Sequence, residues 1–247
     1  MPLNPNRVVV ERLYALLPPE GIPESVLPGW EGTGVRVLTA PAMGAGFVQL
    51  LLELAAGGGG GQRLPERVEA FFYVLEGGCV VTCEGRTHTL GTGGFVYLVP
   101  GSAFTLRASG VTRVLWIKKT YVPADGHVPR EVSGHEQRIA GEAYQGSSDL
   151  LLKKLLPDTP DYDMAMNIFT FQSGAALPVI ETHVMEHGLY LFEGRGVYYL
   201  GYDWYQVKRG DFIWMGPYCP QSFVATGDVP ARYIYYKDVN RDVEPRP

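Results

Sequence analysis

One glycine-framed β-unit occurs twice in this chain, and that repeat constrains the fold more than any other feature. The segment FYVLEGG from Phe72 lies over LYLFEGR from Leu189, superposing Gly77 on Gly194. GGFVYLVPGSAF from Gly93 lies over RGDFIWMGPYCP from Arg209, superposing Gly94 on Gly210. The paired glycines stand 17 residues apart in the first copy and 16 in the second, a single-residue indel. Both copies are rich in β-branched and aromatic residues and are punctuated by Gly and Pro, which reads as short, closely spaced strands. The expected architecture is therefore all-β, with one barrel per copy.

The remaining sequence divides around the two copies. Residues 1–33 are broken by Pro and Gly and read as an N-terminal arm, with a short helical stretch at Arg7–Leu17, that packs on a barrel or on a neighbour. Residues 34–122 form the first barrel, 123–148 a linker rich in Pro, Gly, Ser and mixed charge, and 149–247 the second barrel. The run Gly57–Gly61 is expected to be a flexible loop. It is not a phosphate loop, since it lacks the following Gly-Lys-Ser/Thr and opens no helix. A net charge of −5 with no basic run excludes a nucleic-acid partner. No apolar window approaches a membrane span, and the start lacks the apolar core of a signal peptide. Three cysteines, Cys79, Cys83 and Cys219, show no ligand spacing and read as reduced thiols of a cytoplasmic protein.

Chemistry concentrates at Glu181 to Gly194, ETHVMEHGLYLFEG, which holds a carboxylate and two imidazoles within seven residues. These are ligand types for a catalytic divalent metal. Val179, Ile180, Thr182 and Val184 are β-branched, so the segment reads as strand, with Glu181 and His183 on one face. Four further residues of straight strand would carry His187 roughly 13 Å away, whereas ligands of one metal sit about 3 Å apart. The chain must therefore turn between His183 and His187 and return as a second strand. A helix competes, because His183 and His187 are four apart as in H-E-x-x-H zinc sites. On a helix Glu181 leaves their shared face, and the β-branched flanks favour strand–turn–strand.

The pattern Gly174, Glu181-x-His183, His187, Gly194 resembles the first cupin motif, with the acid and one histidine exchanged between its ends and one extra residue after the glycine. Gly210 to Gln221 resembles the second motif, with Gln221 where the last histidine ligand stands. The resemblance implies a bicupin, two tandem double-stranded β-helix (jelly-roll) barrels, and a candidate ligand set of Glu181, His183, His187 and Gln221. The first copy places Leu64, Glu66, Ala70 and Thr105 at these positions. Only Glu66 is a metal-binding type, so the first barrel is expected to carry no metal site and the second to hold it.

ETHVMEHG, GVYYL, Gln221 and YIYYKDVNRD at Tyr233–Asp242, with FFYVLEGG, VPGS and KKTYVP in the first half, resemble the (S)-ureidoglycine aminohydrolases. The similarity runs through most of the chain; the arm and the glycine run diverge. It implies Mn²⁺ in the second barrel and replacement of the amino group of ureidoglycine by hydroxyl, giving (S)-ureidoglycolate and ammonia in purine (allantoin) breakdown. By motif, substrate contacts fall on Tyr198 and Tyr233, with Glu181 beside the substrate as well as on the metal, and the active-site lysine is Lys237.

The residue types agree with that chemistry. Glu181 is the only anionic ligand, so a divalent metal keeps positive charge for an anionic substrate. One carboxylate, two imidazoles and an amide oxygen suit Mn²⁺ and are compatible with Fe²⁺ or Zn²⁺. Lys237 shares strand parity with Tyr233 and Tyr235 and is placed to shuttle a proton; its plain alternative is a solvated strand-end lysine. Tyr198 and Tyr233 serve the ureido group or carboxylate, or simply pack. Cys219 has no histidine to activate it, and His88, His127 and His135 read as loop or surface residues. Two other readings compete with the hydrolase: a non-haem iron cupin dioxygenase using a two-histidine, one-carboxylate triad, and a non-catalytic small-ligand-binding cupin. A homo-oligomer is expected from the apolar arm.

Overall fold

The computed structural model describes residues 7–243; the start of the arm and the last residues of the second barrel lie outside the described residues. Three sheets account for nearly all regular structure. The first half is one nine-stranded sheet, in the order 132–135, 94–98, 68–76, 112–120, 47–63, 103–108, 78–83 and 86–91, with Glu31–Thr39 paired to the long strand Phe47–Arg63. The second half combines an eight-stranded sheet, in the order 9–10, 14–17, 212–215, 187–193, 231–238, 164–171, 147–154 and 142–144, with a three-stranded sheet, 203–208, 195–200 and 221–225.

The glycine run is not a loop. Phe47–Arg63 continues as strand through it, with Gly59, Gly60 and Gly61 opposite Arg107, Leu106 and Thr105. Glycine is required there because other chain comes too close for a side chain. A Cβ on Gly59 would meet the Leu106 carbonyl oxygen at 2.0 Å, and one on Gly60 would meet the Trp30 ring at 2.6 Å. The corresponding stretch of the second half forms no continuous ladder with its neighbour, meeting it through isolated bridges, Ala176 to Val224 and Glu181 to Gln221, and a few backbone hydrogen bonds such as Leu177 N–H to the Phe223 carbonyl at 2.9 Å. The second barrel therefore has two sheets where the first has one.

The arm also departs from expectation. Arg7–Leu17 contains no helix: Val9–Val10 and Tyr14–Leu17 are strands, and the second lies antiparallel on Phe212–Met215, with Leu16 opposite Ile213. The apolar run Tyr14–Leu17 is buried on every side chain, and the open edge of Phe212–Met215 supplies the hydrogen bonds that decide for strand over helix. Segment 123–148 gives a strand to each half: Val132–His135 pairs with Gly94–Leu98, and Glu142–Tyr144 with Ser147–Lys154.

Apolar residues bury in three cores. One fills the second barrel, around Phe169, Phe171, Phe223 and Tyr233. One fills the first, where Trp30 from the arm joins Phe72, Phe104 and Trp116, with Trp30 and Phe72 each 5.3 Å from Trp116 by ring centroid. The third lies between the barrels and joins Phe47, Phe71 and Leu115 to Met166, Trp214 and Tyr236. Strand alternation divides the roles: on Met164–Phe171, Met166 and Ile168 belong to the interbarrel core, Ala165, Asn167 and Phe169 line a cavity in the second barrel, and Met164 at the strand's start touches both.

Candidate active site

That cavity has a volume of about 590 Å³ and is walled by the strands 164–171, 187–193 and 231–238 together with the loop carrying Glu181 and His183. The loop is not the continuous strand expected for Val179–Val184. Only Glu181 is in a bridge, exchanging backbone hydrogen bonds of 2.8 and 2.9 Å with Gln221. The expected turn does follow, and the chain returns as strand at His187.

The return brings the imidazoles together. His183 Nε2 and His187 Nε2 are 3.1 Å apart, and the Gln221 amide nitrogen lies 3.0 Å from His183 Nε2. Rotating that amide by 180° exchanges its nitrogen and oxygen, so the oxygen can stand beside the imidazoles. Each histidine turns its other nitrogen to a backbone carbonyl, His183 Nδ1 to Met185 at 3.0 Å and His187 Nδ1 to Tyr236 at 3.3 Å. A donor at Nδ1 leaves the lone pair on Nε2, so two acceptors face each other at a separation suited to a shared cation. Burial is the main cause lowering the pKa of both rings; the Lys237 charge assists at His183, and the His183 and then the Lys237 charge assist at His187.

Glu181 joins this group through its backbone; its carboxylate Oε1 accepts from the Tyr144 hydroxyl at 2.8 Å. Among the described residues, no three His, Cys, Asp or Glu side chains form a closed metal cluster. What converges is two imidazoles and an amide, with one carboxylate held alongside. This donor set fits a divalent metal, since the carboxylate retains a second oxygen and His183 Nε2 already lies about 3 Å from both His187 Nε2 and the Gln221 amide.

The other expected residues lie on the same cavity wall. Lys237 is directly across the ladder from His187 on one side and from Ala165 on the other. Burial lowers its pKa and the Glu181 charge opposes that. The Tyr198 hydroxyl donates to Gln221 Oε1 at 3.4 Å, and the Tyr233 ring is 6.5 Å from that of Tyr198. Burial raises the pKa of both phenols, so both are hydrogen-bonding groups and not anions. Cys219 is buried, and burial pushes its thiol up to about 11, which leaves it inert as a nucleophile. His88, His127 and His135 do not line the cavity; they bond Glu131, Asp161 and the backbone of Gln137.

Two lining residues lie outside every motif of the sequence. Tyr144 comes from the segment read as linker, and Asn167 from a strand with no motif. The polar residue at Asn167 among apolar strand neighbours was the one available hint.

A family model described as a cupin domain matches residues 50–118 and 167–236, so the chain is a cupin with two such domains. The (S)-ureidoglycine aminohydrolase of Escherichia coli (strain K12) is 40% identical over 244 residues, covering 97% of this chain and 94% of that relative. The (S)-ureidoglycine aminohydrolase of Arabidopsis thaliana is 34% identical over 96% of this chain and 79% of its own length. The crystal structure of protein Ylba from E. coli superposes with a TM-score of 0.89 at 38% identity, covering 98% of this chain and 97% of that one. The chain belongs to the (S)-ureidoglycine aminohydrolase family, hydrolases acting on C–N bonds.

Proposed function

We propose that the protein converts (S)-ureidoglycine and water to (S)-ureidoglycolate and ammonia, in purine (allantoin) catabolism, with Mn²⁺ held by Glu181, His183, His187 and Gln221. The observation that carries this reading is the convergence of His183, His187 and Gln221 at 3.0–3.1 Å, with Lys237 across the ladder from His187. When bound, the metal would supply positive charge for the substrate carboxylate and Lewis acidity toward oxygen lone pairs beside the reacting carbon.

The chain's own groups supply orientation and proton transfer. The central carbon of ureidoglycine carries two nitrogens, so its C–N bond breaks readily once the leaving amine is protonated. Lys237 gives that proton. The bonding pair leaves with nitrogen as ammonia, a water oxygen forms the new C–O bond, and the proton that water releases restores the ammonium. The net change is one water consumed and one ammonia released. With the Gln221 oxygen turned to the imidazoles, its amide nitrogen faces the Tyr198 hydroxyl, which accepts from it and so orients the amide, and Tyr233 borders the substrate on the same wall.

We also assign the enzyme to the cytoplasm as a homo-oligomer. Three buried free thiols and the absence, among the described residues, of any helix long and apolar enough to cross a membrane support the first part. The exposed Val8, Val10 and Leu13 on the arm support the second; a monomer in light scattering would refute it. The decisive test of function is ammonia release from freshly generated ureidoglycine by metal-stripped protein with and without Mn²⁺. Manganese-dependent release yielding the S product is the expected result. No acceleration over spontaneous decay, with metal bound, would overturn the reading.

A further inference from the structure

We infer that Asn167 and Tyr235 together form the subsite that recognises the planar ureido group, an inference that rests on the hydrolase reading above and names how its substrate is selected. The two residues face each other across the ladder between strands 164–171 and 231–238. Asn167 Nδ2 donates to the Tyr235 hydroxyl at 3.2 Å, and both side chains line the cavity. Asn167 is only 7% exposed. A buried amide has two donors and two acceptor sites, and the bond to Tyr235 uses one of them. Three remain for a ligand in the cavity that Asn167 lines.

The pair is fixed before any ligand arrives. The Tyr235 ring stacks on Phe169 at 5.5 Å and 12°, and meets the His187 imidazole edge-on at 5.4 Å and 85°. Lys237 is two residues along the same strand face, about 7 Å away. The subsite, the lysine and the imidazoles therefore border one space.

Amide orientation does not affect the chemistry offered. With Nδ2 on the phenol, Asn167 Oδ1 accepts and the Tyr235 hydroxyl donates. With the amide rotated, the amide nitrogen donates and the phenol oxygen accepts. Either way the pair presents one donor and one acceptor side by side. That matches a carbonyl oxygen and an N–H on one edge, which the terminal NH₂ of a ureido or primary carboxamide group provides and a trans secondary amide, with its N–H turned away from the oxygen, does not. A carboxylate lacks the N–H, and a methyl ketone or acetyl group lacks the terminal NH₂.

The first barrel serves as an internal control. Its strand register puts Leu50 opposite Trp116 where the second barrel has Asn167 opposite Tyr235, since Lys118 stands across from Ala70 there as Lys237 does from His187. Leu50 and Trp116 are buried in the first barrel's apolar core. The scaffold accepts an apolar pair at this rung, so the polar pair marks the barrel whose cavity takes a ligand.

The test uses manganese-loaded full-length protein and two stable probes, N-carbamoylglycine and N-acetylglycine, which differ in a terminal NH₂ against CH₃. Competition against ammonia release and direct calorimetry give their affinities, and bound manganese is measured alongside. The wild type is expected to prefer N-carbamoylglycine about tenfold or more, since an unpaired buried polar group is costly. Asn167→Leu and Tyr235→Phe should each bring the ratio close to one with manganese content unchanged. If Asn167→Leu does not fold, Tyr235→Phe decides. A wild type with no preference, or folded variants that keep it, would overturn the inference. A wild type that discriminates the probes yet releases no ammonia from ureidoglycine would instead refute the hydrolase reading and leave the subsite standing.

Discussion

Lys237 stands directly across the strand ladder from His187, and the first barrel keeps a lysine, Lys118, at the same place across from Ala70. The scaffold thus holds a cation at this rung in both copies, while only the second supplies imidazoles for it to work beside. In the first, Lys118 Nζ sits 4.2 Å above the Trp116 ring.

Lys237→Ala should lower kcat by about 10²-fold or more, the ordinary range for losing a proton-transfer group. Bound manganese should stay, because Lys237 is not a ligand and its charge disfavours a second cation nearby. Lys118→Ala should leave kcat within about twofold. Steady-state kinetics with metal analysis on both variants checks this. Equal losses would mean that the lysine serves the fold and not the reaction.

Tyr144→Phe removes the hydroxyl that holds Glu181 Oε1 at 2.8 Å while keeping the ring's edge contact with Phe169 at 4.9 Å. Partners of this kind fix a ligand's orientation, and their loss costs about 10- to 100-fold in metal affinity. Manganese titration should show a loss in that range with the melting temperature of metal-free protein unchanged. Unaltered affinity would mean that Glu181 is oriented by its backbone bridge to Gln221 alone.

The residues legible in the sequence were those whose constraint is local. Gly77 and Gly194 have φ of +81° and +75°, and a Cβ on either would strike a carbonyl oxygen, Val111 at 2.3 Å or Pro230 at 2.5 Å. No other residue serves there, which is why the repeat stayed visible. His183 and His187 were legible because four residues and one turn join them. Tyr144 was not, since its partner lies 37 residues away and only the fold introduces them. The glycine run was misread for the same reason. Its need for glycine comes from Trp30 and Leu106, neither adjacent in sequence. The arm was misread because an apolar run of four residues carries no period that separates helix from strand.

Glu69 and Glu186 occupy equivalent rungs at the barrel interface, one residue before Ala70 and His187, and each accepts from an aromatic donor on the adjoining strand: Tyr97 Oη onto Glu69 at 2.5 Å, Trp214 Nε1 onto Glu186 at 3.2 Å. Glu69 is fully buried facing Asp163, with Lys119 as the nearby cation, ion-paired to Asp163. Burial first, then Asp163, raises the Glu69 pKa far above its ordinary 4.5, against the pull of Lys119 and Tyr97. The folded protein thus keeps a proton that the unfolded chain releases above about pH 4.5, and wild-type stability falls as pH rises from there toward the folded value. Glu69→Gln mimics the protonated form and removes that slope. Its melting temperature relative to wild type should climb by about 5 °C between pH 5 and pH 9, a few kcal/mol at this chain length. A difference that stays flat across that range would mean that Glu69 is ionised in the fold.

Trp30→Ala should separate stability from function. Trp30 is 6% exposed and closes the first barrel against Trp116, while Gly60 leaves the room its ring occupies. Truncating a buried aromatic costs about 3–5 kcal/mol through lost burial and the cavity left behind, or about 10 °C in melting temperature for a chain of this size. The residues proposed to hold manganese lie in the other barrel, and the interbarrel core that joins the two does not include Trp30. Manganese affinity at 25 °C should therefore stay within about twofold of wild type. Calorimetric melting and metal titration on the same sample read both quantities. Loss of metal affinity together with stability would mean that packing in the first barrel sets the geometry of the second, and the first would then be part of the site's support and not only its structural twin.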